Sequence, residues 1–201
     1  NLAKIIATYL KLDFQTEVMT RLKNNKNNLR TVCFISDEFH EYVTTTDADF
    51  FSQSREAKCI NIVSTQSYSS ILNTIHDENA SKVIIQNLVN KLWFRTDDIF
   101  TIENSQKQIG KEDKKKISKS ISENSNETNY NFISNSFLSK KSNISESIST
   151  QIQNDYIFDF NFFTQNLETF SCLSFLSNGN QILPPTKLKM IPFFEKGGFN
   201  E

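Results

Sequence analysis

The chain has 201 residues, of which 37% are hydrophobic, and its formal net charge is −1 at pH 7. This length allows one domain with a buried core, and the near-neutral charge excludes a protein whose whole surface binds nucleic acid, though not one with a local basic patch. No apolar run is long enough to span a bilayer, and no signal peptide is visible. Because the chain opens on Asn1 without an initiator Met, directly in a helical pattern, we expect a fragment of a longer protein.

Helices and strands alternate in the first half of the predicted structure. Apolar residues spaced three and four positions apart predict one or two amphipathic helices over residues 2–22. Short apolar runs then predict three buried strands, at 31–36, 59–66 and 91–95, with helices between them. This alternation predicts an α/β fold with a mostly parallel sheet flanked by helices.

Polar residues in front of periodic apolar segments predict where three of the helices begin. The capping residues are Thr46 or Asp47 for a short helix over 47–56, Asp77 for a helix that carries Ile84, and Thr96 or Asp97 for a helix that stops at Gly110.

The composition changes after Gly110. Residues 111–154 are rich in Ser, Lys, Asn and Glu, with isolated Ile residues at even spacing. This pattern permits a polar β-hairpin with one weakly apolar face, and equally a mobile loop. Its lysines, at 111–119, are candidates for contacts with a phosphate backbone, but the interleaved acids favour a solvated hairpin arm.

Order is predicted to return near Tyr156, followed by a turn at 177–180 and a closing edge strand around Leu188. The sequence thus predicts three parts: residues 1–110 as an α/β core, 111–155 as a hairpin or flexible insertion, and 156–201 as a helix and edge strands that close the same domain.

Two adjacent carboxylates, Asp37 and Glu38, follow the first predicted strand. Such acids, taken alone, are more often solvated or capping residues. Gln66 ends the second strand, however, and the carboxyl ends of neighbouring parallel strands line one crevice, so these three side chains are expected to converge. This is the layout of a Walker B motif, in which one acid helps to hold nucleotide-bound Mg²⁺ and the next activates water. The chain contains no G-x-x-x-x-G-K-[ST] loop that would cradle the phosphates.

Several segments resemble the TraG/TraD group of type IV secretion coupling proteins. The matching stretches are 35–39 (Ile-Ser-Asp-Glu-Phe), 51–55 (Phe-Ser-Gln-Ser-Arg), 62–67 (Ile-Val-Ser-Thr-Gln-Ser) and 87–96, which ends in Lys-Leu-Trp-Phe-Arg-Thr. The resemblance implies part of a RecA-like P-loop ATPase fold, with residues 1–110 as the C-terminal half of its core, including the Walker B strand. It also implies a parent protein that forms a hexameric ring at the cytoplasmic face of the cell membrane and uses ATP and Mg²⁺.

The same resemblance implies a role for four residues. Asp37 would help to position Mg²⁺, and Glu38 would orient or deprotonate the attacking water. Arg55 would reach into a neighbouring subunit's site as an arginine finger, where its charge offsets that developing on the phosphoryl group. Gln66 would sense the γ-phosphate.

The resemblance further implies that the parent delivers DNA, single- or double-stranded, or protein into a type IV secretion channel, with a relaxase or relaxosome and channel proteins as partners. Without the phosphate loop, this chain alone is expected to be a soluble cytoplasmic fragment that neither binds ATP tightly nor hydrolyses it. Two alternatives remain: another secretion ATPase or an FtsK/HerA-like DNA translocase, and a non-enzymatic docking module for DNA-processing partners.

Other conspicuous residues are expected to have ordinary structural roles. His40 is close enough in sequence to Glu38 to touch the site, but it is interpreted as a surface-loop histidine. Asp97 and Asp98 are interpreted as the cap and first-turn acids of a helix, and Cys33 and Cys59 as inert core thiols.

Overall fold

A computed structural model describes residues 2–23, 30–123, 130–131, 136–137 and 144–191. The chain divides into two compact units, one made of Asn1–Ile109 with Phe158–Glu201 and the other of Gly110–Ile157. No helix among the described residues has the length and apolar character needed to cross a membrane.

The elements confirm the predicted α/β class. The α-helices are α1 (Leu2–Thr20), α2 (Thr46–Gln53), α3 (Tyr68–Ile75), α4 (Glu78–Asn87) and α5 (Ile99–Ile109). The strands are β1 (Val32–Ser36), β2 (Cys59–Val63), β3 (Lys91–Phe94), β4 (Lys111–Glu123), β5 (Tyr130–Asn131), β6 (Ser136–Phe137), β7 (Ile144–Tyr156), β8 (Ser171–Phe175) and β9 (Thr186–Lys189). A 3₁₀ turn over Phe39–Glu41 and a π-helical turn over Phe162–Asn166 complete the first unit.

A small parallel sheet lies at the centre of the first unit. Strands β1 and β2 pair in parallel from Val32 opposite Cys59 to Ser36 opposite Val63. One face of this sheet packs on a core built from α1 to α4, in which Phe39, Ala57 and Ile84 are completely buried.

The third strand belongs to a separate antiparallel sheet. Strand β3 pairs antiparallel with β8, and β8 pairs antiparallel with β9, which is the predicted closing edge strand. The parallel part of the fold is therefore confined to β1 and β2 among the described strands. Strand β3 belongs to this second sheet because Trp93 packs in its core. There Trp93 lies with the α5 residue Ile102 and with Phe163 and Leu173, which come later in the chain.

The backbone amides in the first turn of a helix are free, and a polar side chain that accepts hydrogen bonds from them caps the helix. Asp77 caps α4 as predicted, accepting hydrogen bonds from the amides of Asn79 and Ala80. At α5 the predicted caps Thr96 and Asp97 are wrong: Asp98 accepts from the Thr101 amide at 2.9 Å. At α2 the N-cap position is Thr45, which makes no side-chain capping bond.

The second face of the parallel sheet is exposed within the described part of the chain. Ile35 is 73% exposed and Ile62 54% exposed, and Cys33 lies on the same side. The expectation of a buried Cys33 is therefore wrong, because alternate residues of a strand point to opposite faces. Cys59, which faces the core, is buried as predicted, and burial raises the pKa of its thiol.

The second unit contains a long antiparallel ribbon. Strands β4 and β7 pair from Lys111 opposite Tyr156 to Glu123 opposite Ile144. Helix α5 ends just before this ribbon at Gly110, whose φ of +102° is readily available only to glycine.

Candidate active site

The carboxyl ends of β1 and β2 bring together three of the four predicted site residues. Asp37 and Glu38 follow β1 directly, and Gln66 follows β2 after two residues. Backbone bonds tie these ends to each other: the Ser64 amide donates to the Ser36 carbonyl at 2.9 Å, and the Phe39 amide donates to the Ser64 carbonyl at 2.9 Å.

Asp37 is an exposed carboxylate held by its neighbours. Its Oδ1 accepts hydrogen bonds from the Glu38 amide, at 3.0 Å, and from the Ser64 hydroxyl. The Tyr42 hydroxyl donates to the Asp37 carbonyl at 2.8 Å. These contacts fix the backbone at the strand end, and the exposed carboxylate stays accessible to a ligand.

Glu38 adopts a left-handed backbone conformation, with φ 49° and ψ 44°. For a residue other than glycine this costs roughly 1 kcal/mol. The conformation is imposed by Phe39, whose completely buried side chain and bonded amide fix the chain direction just after Glu38. Gln66 Nε2 donates to Glu38 Oε2 at 3.3 Å, so the carboxylate and the amide expected to act together are in contact.

His40 lies beside Glu38, although the sequence interpretation favoured a surface loop for it. Its side chain is only 10% exposed, and its Nδ1 lies 3.4 Å from Glu38 Oε2 and 3.4 Å from Thr65 Oγ1. Its Nε2 lies 3.6 Å from Glu41 Oε1. The surface-loop interpretation is therefore wrong, because the 3₁₀ turn after Glu38 rotates His40 inward; its position two residues after Glu38 was the available signal.

Arg55 does not join the other three residues. It lies in the turn between α2 and β2, four residues before β2 begins, and it is exposed. It is therefore at the amino end of a five-residue strand whose carboxyl end leads to Gln66, and the strand alone separates its first and last Cα atoms by about 13 Å. Within one chain the Arg55 guanidinium and the Glu38 carboxylate belong to opposite ends of the sheet.

An open polar groove of about 800 Å³ continues from Gln66. Its lining consists of Gln66, Ser67, Ser69, Ser70, Thr96, Asp97, Asp98, Ile99, Phe100 and Glu103. Asp98 anchors one wall, because its carboxylate accepts from the Ser69 hydroxyl at 2.6 Å and from the Thr101 amide. Burial alone would raise the pKa of Asp98, but hydrogen bonds from Ser69 and Thr101 outweigh it and lower that pKa below its usual value.

Replacing Asp98 with Ala is expected to cost about 1 kcal/mol of unfolding free energy, the usual value of a helix N-cap. Because the pKa of Asp98 is lower in the folded chain, its contribution is present above the unfolded-state pKa and is lost as the pH falls through the folded-state pKa. Urea unfolding across that acidic range is the measurement. Asp97→Ala is the matched control, and an equal effect of both changes would contradict the assignment of the cap.

The oxygen atoms beside Asp37 are the candidate ligands for a magnesium ion. Among the described residues, no three His, Cys, Asp or Glu side chains are grouped as a metal site. Asp37 and the Ser64 hydroxyl beside it offer oxygen atoms, and Mg²⁺ is commonly bound through one or two carboxylates together with substrate phosphates and water. The residues present therefore fit an ion that arrives with a nucleotide.

A buried ion pair fixes the segment that follows the site. Lys11 of α1 donates to Asp47 Oδ2 at 2.5 Å and to the Tyr42 carbonyl at 2.7 Å. Asp47 also accepts from Gln15 Nε2 at 2.6 Å and from the Thr44 amide at 2.6 Å. Because Tyr42 in turn contacts Asp37, helix α1 is linked to the strand end by a continuous set of hydrogen bonds.

Comparison with known structures shows the same fold in a coupling protein. A bacterial conjugative coupling protein, TrwBdeltaN70 in its unbound monoclinic form, matches with a TM-score of 0.58 and 13% sequence identity. The match covers 88% of this chain and 35% of that one, so the chain spans about a third of its length. No curated protein matches in sequence.

The sequence pattern of one protein family matches residues 31–156, which contain all four predicted site residues and the ribbon. Since this is more than half of the chain, the protein belongs to the family described as the TraM recognition site of TraD and TraG.

Proposed function

We propose that this chain is part of a conjugative coupling-protein ATPase, which uses ATP hydrolysis to deliver DNA or protein into a type IV secretion channel. The observation that carries the proposal is the contact of Gln66 with Glu38 beside Asp37, at the carboxyl ends of two parallel strands. Ligands of open α/β sheets bind at such strand ends. Family membership supports the role in conjugation, and the geometry supports the hydrolytic chemistry.

In this proposal Glu38 is the general base. Its carboxylate is exposed to a ligand, and contacts to Gln66 and His40 fix its position, so that it can orient and deprotonate a water. Gln66 provides a neutral amide that can contact a terminal phosphate without adding charge. When Mg²⁺ is bound with ATP, it neutralises charge on the phosphates, and Asp37 would help to hold it.

Arg55 acts in this proposal on the site of a neighbouring subunit. Its position at the opposite end of the sheet rules out contact with Glu38 of the same chain, but an exposed guanidinium on the outside of a unit is available to another copy. A ring of identical subunits would place each Arg55 against the next Glu38, and a hexamer is the size that the family resemblance suggests.

The parent protein would act at the cytoplasmic face of the membrane, with ATP, DNA, a relaxosome protein and channel proteins as its ligands and partners. The family description, which names recognition of TraM, supports contact with a relaxosome protein.

The family description also favours a second candidate function, a docking module without hydrolysis. In that case changes at Glu38 would leave transfer intact.

Complementation between two variants tests both the site and the position of Arg55. We expect Arg55→Ala alone to lower conjugative transfer by about a thousandfold, since arginine fingers contribute factors of this order. Glu38→Gln alone should also lower transfer strongly. Co-expression of the two variants in one donor should restore part of it, because a mixed ring contains interfaces in which an intact Glu38 meets an intact Arg55.

Arg30→Ala is the control, since Arg30 also lies in an exposed segment next to a strand. It should transfer normally. Absence of any restoration in the mixed donor, with both variants present at normal levels, would contradict the intersubunit role of Arg55. Normal transfer by both single variants would instead favour the docking module.

A further inference from the structure

Both described side-chain contacts of the Glu38 carboxylate are made by one of its two oxygens. Gln66 Nε2 donates to Oε2 at 3.3 Å, and His40 Nδ1 lies 3.4 Å from the same atom. No group among the described residues donates to Oε1, and the Glu38 side chain is 52% exposed. Oε2 therefore fixes the side chain, and Oε1 is the oxygen that is open to a ligand.

His40 faces the strand ends with its Nδ1 atom, and the neighbours of that atom assign a hydrogen to it. Glu38 is ionised when it acts as a base, and an ionised carboxylate only accepts hydrogen bonds. The second neighbour is Thr65 Oγ1, at 3.4 Å, which is also free to accept because the Thr65 hydroxyl donates to the Ser67 carbonyl at 3.2 Å. Nδ1–H thus faces one acceptor that follows β1 and another that follows β2.

The two side chains that contact Oε2 differ in how firmly they are held. Gln66 is exposed, and in the proposed function its amide contacts the terminal phosphate. The His40 side chain is only 10% exposed, follows the completely buried Phe39, and has Glu41 Oε1 3.6 Å from its Nε2. When Gln66 leaves Glu38 for the phosphate, His40 is the described contact of Oε2 that remains.

We propose that His40 is the positioning residue of Glu38. Its Nδ1–H holds Oε2 while Gln66 contacts the terminal phosphate, so that Oε1 stays directed at the attacking water. Oε1 then accepts a proton of that water as the water oxygen bonds to the terminal phosphorus and the bond from phosphorus to ADP breaks. The inference rests on the proposed function, because it gives His40 a role only if Glu38 is the base.

A role in packing alone would make different demands on residue 40. Packing needs an apolar side chain of similar size, which leucine supplies. Positioning needs a hydrogen-bond donor at the place of Nδ1, and two amide side chains distinguish the ring nitrogens. Asparagine carries its NH2 group at the position of Nδ1, which faces Glu38, and glutamine carries it at the position of Nε2, which faces Glu41. Positioning therefore predicts that asparagine, and not glutamine, replaces the histidine.

Conjugative transfer from donors whose native gene is replaced by each variant is the first measurement. His40→Leu should lower transfer by roughly a hundredfold, the effect of displacing a catalytic group by about 1 Å. His40→Gln is the matched control for the donor position and should lower transfer to the same extent. His40→Asn should keep transfer within about tenfold of the wild type, since it keeps the donor beside Oε2.

Co-expression in one donor separates positioning from a loss of folding. Because His40 acts on Glu38 of its own chain, His40→Leu together with Arg55→Ala should restore part of the transfer. A mixed ring then contains interfaces in which an intact Glu38 and His40 meet an intact Arg55. His40→Leu together with Glu38→Gln should restore none, because no subunit holds both groups.

Two results would overturn the positioning role: equal transfer by His40→Asn and His40→Gln, or no restoration of His40→Leu by Arg55→Ala in donors where Glu38→Gln is restored by it. Transfer that requires Glu38 but is normal in His40→Leu would reject this inference and keep the proposed ATPase. Normal transfer by Glu38→Gln would reject both, so the two failures are distinguishable.

Discussion

Replacing Glu38 with Gln is expected to lower conjugative transfer by roughly a hundred- to ten-thousandfold, the range that a general base contributes to catalysis. Glutamine has nearly the same shape and can still contact Gln66, but an amide cannot accept the proton of the attacking water. The change therefore removes a single chemical property at a fixed position. The measurement is transfer frequency from donors whose native gene is replaced by the variant.

Glu41→Gln is the matched control for this prediction. Glu41 lies three residues further along, and its side chain is 60% exposed and contacts His40 but makes no described contact with the side chains of Glu38 or Gln66. It should transfer within a few-fold of the wild type. Urea unfolding of the two variant chains should give equal midpoints, since neither side chain is buried. A loss of transfer in both variants would indicate disturbance of the turn rather than loss of a base.

The strand ends of the site could be predicted from the sequence because their signals are local. The apolar runs before Asp37 and Gln66 are strands, and parallel pairing alone is enough to bring the ends together. The position of Arg55, one turn before β2, likewise follows from the order of the elements. Whether these residues act in hydrolysis is a separate question, which the two transfer experiments address.

What the sequence could not show depends on contacts between distant segments. The antiparallel pairing of β3 with β8 joins residues about eighty positions apart, and no local pattern near Trp93 encodes that direction. The burial of His40 was not predicted because it depends on the left-handed backbone conformation of Glu38. Glutamate is not a residue type that predicts this conformation. The Asp98 cap was missed by one residue, because Asp97 and Asp98 are the same residue type and only their contacts in the fold, with Ser69 of another helix and with the Thr101 amide, distinguish them.

The Lys11–Asp47 pair is a buried contact that sequence reasoning did not find. The side chains of Lys11 and Asp47 are almost completely buried, at 2% and 0% exposure. Each of the other described ion pairs includes a side chain that is at least 39% exposed. Burial lowers the pKa of Lys11, while Asp47 opposes that effect. Removing one partner leaves the other as a buried charge without its counter-ion, which is far more costly than losing an exposed pair.

Lys11→Met is therefore expected to reduce the unfolding free energy by about 3–5 kcal/mol, a large part of the total stability of an ordinary domain. Lys4→Met is the matched control on the same helix: Lys4 lies 3.9 Å from Glu41 in an exposed pair, and its loss should cost less than about 1 kcal/mol. Urea unfolding measures both changes.

The double variant Lys11→Met with Asp47→Asn should be less destabilised than the two single changes predict by addition, because no uncompensated charge then remains. Strict additivity would contradict the coupling.

Lys11 also donates to the Tyr42 carbonyl, and the Tyr42 hydroxyl contacts Asp37. Lys11→Met should therefore loosen the strand end that carries the site. Hydrogen exchange at the Phe39 and Ser64 amides should accelerate in Lys11→Met but not in Lys4→Met, which would show that α1 supports the site and not only the core.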